Sequence, residues 1–189
     1  MVMTKAHPKL RADAARNRDK LLSAAVALFA ERGADVSLEA VAKRAGVGIG
    51  TLYRHFPTRE ALLEAAYRNE VSQLSAAADE LLARHPADEA LALWMDRFVD
   101  YATTKRGIGP ALKAMVSSSE LFADARRMNI DAIERLLDAG VVAGAIRSDV
   151  GAEDVLRAMG AIWALGDDGW DEHARRLLRL VIDGLRYGA

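Results

Sequence analysis

Each of the chain's four prolines, Pro8, Pro57, Pro86 and Pro110, stands between runs of good helix formers and never within one. Proline lacks the N–H that a helix interior needs and clashes with the preceding turn, so this placement marks where helices stop. Between the prolines, alanine, leucine, arginine and glutamate dominate. β-Branched residues are sparse, and no stretch alternates with the period of a strand. The pattern predicts an all-α fold of about nine helices, with glycine and proline as its punctuation.

Composition narrows what such a fold can do. The 189 residues include no cysteine, which excludes disulfide frameworks, cysteine-ligated zinc and thiol catalysis. The longest nearly uncharged stretches, Gly140–Ile146 and Ala158–Gly166, fall well short of the roughly 18–20 residues that span a bilayer. No apolar core follows the lysines near the start, so a cytoplasmic protein without a membrane partner is expected. The net charge of −1 conceals an asymmetry. Residues 1–59 hold eleven basic and five acidic side chains, a net +6, whereas residues 60–189 hold fifteen basic and twenty-two acidic, a net −7. A basic head on an acidic body raises the question of a nucleic-acid partner.

The head resolves into short pieces. Leu21, Leu22, Ala25, Leu28 and Phe29 recur at three- and four-residue spacing, one apolar stripe of a helix that begins between Leu10 and Arg18 and ends near Arg32. Gly33 stands where a left-handed cap is expected. Ser37 is a good N-cap for Leu38–Ala45, Gly46 closes that helix, and a third runs over Ile49–His55. Pro57-Thr58 breaks and re-caps the chain before a long helix from Arg59 toward Arg84. Two very short helices joined by a glycine-containing turn make a helix-turn-helix. Neither is stable alone, so Val41, Val47, Leu52 and Phe56 must lean on the first helix. Ile49, Thr51, Tyr53, Arg54 and His55 remain for the surface.

The run from Ser37 to Phe56, Ser-Leu-Glu-Ala-Val-Ala-Lys-Arg-Ala-Gly-Val-Gly-Ile-Gly-Thr-Leu-Tyr-Arg-His-Phe, followed by Pro57-Thr-Arg-Glu-Ala-Leu-Leu63, resembles the DNA-binding head of the TetR family of bacterial repressors. The resemblance is specific over roughly 16–67 and sharpest at Gly50–Phe56. It implies a helix-turn-helix head at 10–58, with the motif itself at 37–56. A helical ligand-binding and dimerising body at 59–189 would follow, entered through the fourth helix. It also implies a homodimeric transcriptional repressor that a small molecule releases from a near-palindromic DNA operator, with no cofactor. The third helix would then enter the major groove. Arg54 suits a guanine edge or a phosphate, and Thr51 offers a hydroxyl and a methyl. Gly48 and Gly50 leave the backbone open. By the resemblance Tyr53 and His55 meet the sugar-phosphate backbone or a thymine methyl, and Arg59 meets a phosphate; Ser37 caps the motif. Relatives usually carry a serine where this chain has Gly48, and a polar or basic residue where it has Ile49. This departure implies fewer direct base hydrogen bonds and leaves Ile49 to meet a thymine methyl. Arg11, Arg16, Arg18 and Lys20 suit a basic arm along the phosphates.

In the body, helices are expected at Asp88–Thr104, Pro110–Val116, Glu120–Ala143, Ala152–Leu165 and Asp171–Tyr187. Trp94, Met95, Phe98 and Tyr101 share one broad face of the first. With Met115, Met128 and Trp163 they are the large, adaptable side chains that line an apolar ligand pocket in the family. Val155, Leu156, Met159 and Ile162, with Leu177, Leu178, Val181, Ile182 and Leu185, would form the four-helix dimer interface. An enzyme reading rests on His173 near Asp167, Asp168, Asp171 and Glu172. Acidic residues are favourable in a first helical turn without any function, and no histidine pair has ligand spacing, so neither a catalytic nor a metal site is expected. The alternative to a ligand-responsive repressor is a constitutive DNA-binding regulator whose body only dimerises or holds a protein partner.

Overall fold

The computed structural model describes residues 8–115, 119–163 and 169–187. Among them there are eight α-helices, one 3-10 turn and no strand. The helices are α1 (Pro8–Arg32), α2 (Leu38–Ala45), α3 (Ile49–His55), α4 (Arg59–Leu82), α5 (Ala87–Met115), α6 (Ser119–Val142), α7 (Ala152–Trp163) and α8 (Trp170–Arg186). The count is one fewer than expected because α5 is continuous where the sequence suggests two helices. Pro110 lies inside α5, not between helices; a proline removes only one backbone hydrogen bond, a small share of those in a helix of 29 residues. The described residues fall into two compact units. One takes in those up to Asn69 together with those from Thr104 to Met115, and the other those at 70–103 and from Ser119 onward.

The first unit is built on the α1 stripe. Leu21, Leu22, Ala25, Leu28 and Phe29 are all buried, as are Val41 and Ala42 of α2, Leu52 of α3, Phe56, and Leu62, Leu63, Ala66 and Tyr67 of α4. Each large side chain so covered contributes about 1.5–3 kcal/mol, which is how helices of 8 and 7 residues persist. The ends of α2 are satisfied locally: Ser37 Oγ accepts from Ala40 N at 3.1 Å. Gly46, at φ 65° and ψ 31°, turns the chain left-handed so that Val47 N reaches the Ala42 carbonyl at 3.0 Å. Glycine adopts that conformation without the steric cost a Cβ would bring. Gly33 is also left-handed, but it opens a 3-10 turn over Gly33–Asp35 before the chain straightens.

The second unit packs α6 on α7 and α7 on α8. At the end of α6 the chain folds back on itself. Ala145 N and Ile146 N both donate to the Gly140 carbonyl, at 2.9 and 3.2 Å, and buried Ile146 sits where a Cβ on residue 140 would lie, 2.5 Å from its Cδ1. Only glycine allows that approach. Helix α8 begins at Trp170, after left-handed Gly169, so Asp171 and Glu172 lie in its first turn.

Glu70 stands alone among the acidic side chains described in being pushed up by burial. The cost falls on the charged form, so it is absent below the ordinary carboxylate value and grows as pH rises through the raised one. Glu70→Gln is therefore expected to raise the melting temperature at pH 8, with the gain shrinking toward pH 4. Thermal melts of both proteins across that range check it.

Candidate nucleic-acid interface

The α2–turn–α3 unit is held from beneath and open above. Gly48 starts α3 with an extended backbone, φ −62° and ψ 140°, and its carbonyl accepts from Thr51 N and Leu52 N at 2.8 and 3.1 Å. Leu52 points into the core, while Phe56 N closes the helix on the Leu52 carbonyl at 2.7 Å. Arg44 of α2 grips Glu31 of α1 through two contacts of 2.8 Å. The Arg18 guanidinium lies 5.8 Å from the centroid of the Phe56 ring, which ties the middle of α1 to the C-cap of α3.

What this leaves on the surface is nearly the predicted set. Gly48, Ile49, Gly50, Tyr53 and Arg54 are exposed, and Thr51 and His55 half-buried. Ile49 is 39% and Tyr53 46% accessible, which is unusual for side chains of their size in this chain. Arg54 has no hydrogen-bond or ion-pair partner among the described residues. The basic residues of the first helix are part of α1 itself, not of a separate arm: Arg16 pairs with Asp13, Arg18 packs on Phe56, and the side chain of Arg11 lies outside the described residues.

Two members of the set have work inside the fold. The Ser37 hydroxyl is occupied as the α2 cap. Half-buried Arg59, the first residue of α4, donates from its guanidinium to the Val36 carbonyl, immediately before that cap. At the same helix end, Thr58 Oγ1 accepts from Ala61 N at 3.1 Å, and Glu60 is held below the usual carboxylate range by a backbone hydrogen bond and the Thr58 hydroxyl. The one sequence signal for the Arg59 bond is a cation at the α4 start, where the helix field disfavours it.

In the second unit, Trp94, Met95, Phe98 and Tyr101 are buried. Their rings run along α5, Trp94 to Phe98 at 6.0 Å and Phe98 to Tyr101 at 5.7 Å, and Trp94 Nε1 donates to the Leu74 carbonyl at 2.8 Å. A half-open cleft of about 260 Å³ lies between α5 and α8, floored by Met95, Leu178 and Ile182 and rimmed by Asp96, Arg175 and Arg179. Met95 is thus the one member of the expected pocket set on this cleft. Met128 is half-buried, and the side chains of Met115 and Trp163 lie outside the described residues. Sequence reasoning missed Asn129 of α6. It is 5% accessible, and its Oδ1 has no partner among the described residues; a lone polar residue on the apolar face of α6 was the available signal.

The residues expected at a dimer interface divide by burial. Val155, Met159, Leu178, Ile182 and Leu185 are covered within the single chain, so their stripe packs inward and offers nothing to a partner. Leu156, Leu177 and Val181 are half-buried, and the side chain of Ile162 lies outside the described residues. Leu180, absent from the expected set, is 67% accessible, and Gly160 and Gly184 are exposed with open space where a Cβ would stand. No group of three or more metal-ligating side chains occurs among the described residues, and no helix of the described residues is long and apolar enough to cross a membrane.

Comparisons with known proteins fit this arrangement. The family profile for bacterial regulatory proteins, tetR family, matches residues 21–66, and that for the transcriptional regulator SbtR-like C-terminal domain matches residues 86–187. The HTH-type transcriptional repressor KstR of Mycobacterium tuberculosis is 30% identical over 164 residues, 84% of this chain and 73% of that protein. The crystal structure of the TetR transcriptional regulator SCO0520 from Streptomyces coelicolor superposes with a TM-score of 0.84 at 49% identity, covering 91% of this chain and 99% of that one. LfrR from Mycobacterium smegmatis shares the fold at 22% identity, with a TM-score of 0.65 over 92% of this chain and 97% of its own.

Because Arg59 donates to Val36, Arg59→Ala is expected to cost about 1 kcal/mol of stability; a purely structural role would leave the salt dependence of DNA binding unchanged. A phosphate contact would instead lower the slope of log K against log salt by about 1. Denaturant melts and binding at four salt concentrations separate the two.

Proposed function

We propose that this chain, which belongs to the TetR family of bacterial regulatory proteins and is therefore a DNA-binding transcription regulator and not an enzyme, acts as a cytoplasmic homodimeric repressor that a small molecule releases from its operator. The observation that carries the reading is the exposed face of α3, with Ile49, Tyr53 and Arg54 free above a helix pair locked to α1. A recognition helix enters the major groove and reads base edges with such side chains. The net +6 of residues 1–59 supplies the phosphate attraction, and the net −7 of the remainder keeps the body off the duplex.

The interior of the second unit supports a ligand. A buried carbonyl oxygen without a partner costs stability unless something donates to it, and Asn129 holds one. The α5–α8 cleft offers apolar floor and charged rim. LfrR, of the same fold, has been crystallised with proflavine. Ligand and DNA must then oppose one another reciprocally: whatever factor the ligand takes from DNA affinity, DNA takes from ligand affinity. Helix α4, which contributes Leu62 and Tyr67 to one unit and Leu74 and Leu81 to the other, is the element through which we route that coupling.

Dimerisation we assign to the second apolar face of α8. Leu177, Leu180, Val181 and Gly184 lie at three- and four-residue spacing on α8, as Leu156 and Gly160 do on α7, the helix packed against it. Two such pairs make a four-helix interface, and the glycines permit close approach. Leu180→Glu is expected to yield folded monomers and to weaken operator binding by well over tenfold; analytical ultracentrifugation and circular dichroism on the same sample read this out.

For the DNA-binding role, fluorescence anisotropy against the DNA flanking the protein's own gene and against random duplex is the direct test. We expect a preference that falls steeply with salt and a footprint of two half-sites about one helical turn apart or somewhat more. Equal affinity for both duplexes would defeat the reading.

A further inference from the structure

We infer that Ile49 determines specificity by packing on the 5-methyl group of one thymine in each operator half-site; the inference rests on the DNA-binding reading above. The first turn of α3 comprises Ile49, Gly50 and Thr51 and carries no charged side chain. Gly48 caps the helix without a side-chain hydrogen bond, Gly50 has no side chain, and Thr51 is half-buried. The turn that leads into the groove therefore presents one side chain of any reach, and it is aliphatic. The Ile49 side chain can make no hydrogen bond to purine N7, O6 or N6. Of the groups a base pair shows in the major groove, the thymine methyl alone is apolar.

The surroundings of Ile49 fit that contact. Tyr53, four residues on, lies on the same face and is likewise exposed, so two apolar bodies stand side by side on a helix of 7 residues. A Cβ built on Gly48 or on Gly50 meets nothing within 4 Å, and neither glycine has a positive φ. Nothing in the fold of the chain requires glycine at either position, and within the helix Gly50 is disfavoured relative to alanine. Their effect is to leave Ile49 unscreened on both sides, with bare backbone flanking it, so that the edge of a base pair can close on the side chain.

Uracil tests the proposal, because it keeps thymine's hydrogen-bonding edge and lacks only the methyl. Duplexes enriched from a random library by the full-length protein supply the operator, and each thymine is then replaced singly by deoxyuridine. One position per half-site is expected to lose about fourfold in affinity for each methyl removed. Ile49→Ala, at an exposed site and so expected to melt as the wild type does, should bind the thymine operator more weakly and be indifferent to uracil at that position. Such coupling between the protein and DNA changes is the supporting result. Tolerance of uracil at every position would overturn the proposal, as would a loss that persists in Ile49→Ala and so gives the methyl to another side chain. Failure to enrich any sequence would instead remove the DNA-binding reading and this inference with it.

Discussion

Everything in the first unit depends on the burial of one stripe of α1. Leu21, Leu22, Ala25, Leu28 and Phe29 are nearly inaccessible, and α2 and α3 both pack against α1. Helix nucleation is costly enough that helices of two turns do not persist unaided. The stripe supplies what they lack, and the caps at Ser37 and Gly46 settle where each begins and stops. The turn between them is consequently fixed in length and direction, and with it the angle at which α3 stands.

That arrangement divides the residues of α3 by task. Leu52 and the following Phe56 hold the helix down, and Ile49, Tyr53 and Arg54 are left to the outside. Arg59 and Ser37 act one layer back: the guanidinium of the first α4 residue is bonded to the carbonyl of Val36, and the next residue caps α2. The first residue of α4 is thus hydrogen-bonded to the residue that precedes the α2 cap.

Local rules carried the sequence reading far in this unit. The bounds of α2 and α3, the Ser37 cap and the left-handed Gly46 all follow from cap chemistry and apolar spacing, because short helices between glycines leave few alternatives. The readings that failed concern long-range packing, to which local pattern is blind. The α5 continuity through Pro110 runs against the local signal, since Gly107 and Gly109 stand just before that proline. The partner of Arg59 is a backbone carbonyl 23 residues away, which a cation at a helix start signals only faintly. On α8 the apolar arc is too wide for one core: Trp170, Ala174, Leu178, Ile182 and Leu185 are buried, and Leu177, Leu180 and Val181 lie beside them. Periodicity shows that α8 is apolar over much of its circumference, but not which part faces its own chain.

The charge distribution bears on the same division. Its body, taken as a whole, is acidic, yet many of its charges are matched across helices: Arg175 with Asp96 and Asp100, Arg186 with Asp88, and Arg135 with Asp79. Exposed pairs of this kind contribute at most about 1 kcal/mol each, so their larger effect is to fix which helix face meets which. In the first unit the pairing is incomplete. Arg44 and Arg16 are paired, whereas Arg54 on α3 and Lys43 on α2 are exposed and make no ion pair among the described residues. An unpaired cation beside an apolar Ile49–Tyr53 face offers little to its own fold. It is suited to a surface that is both anionic and studded with methyl groups, and the thymine-bearing major groove of duplex DNA is such a surface.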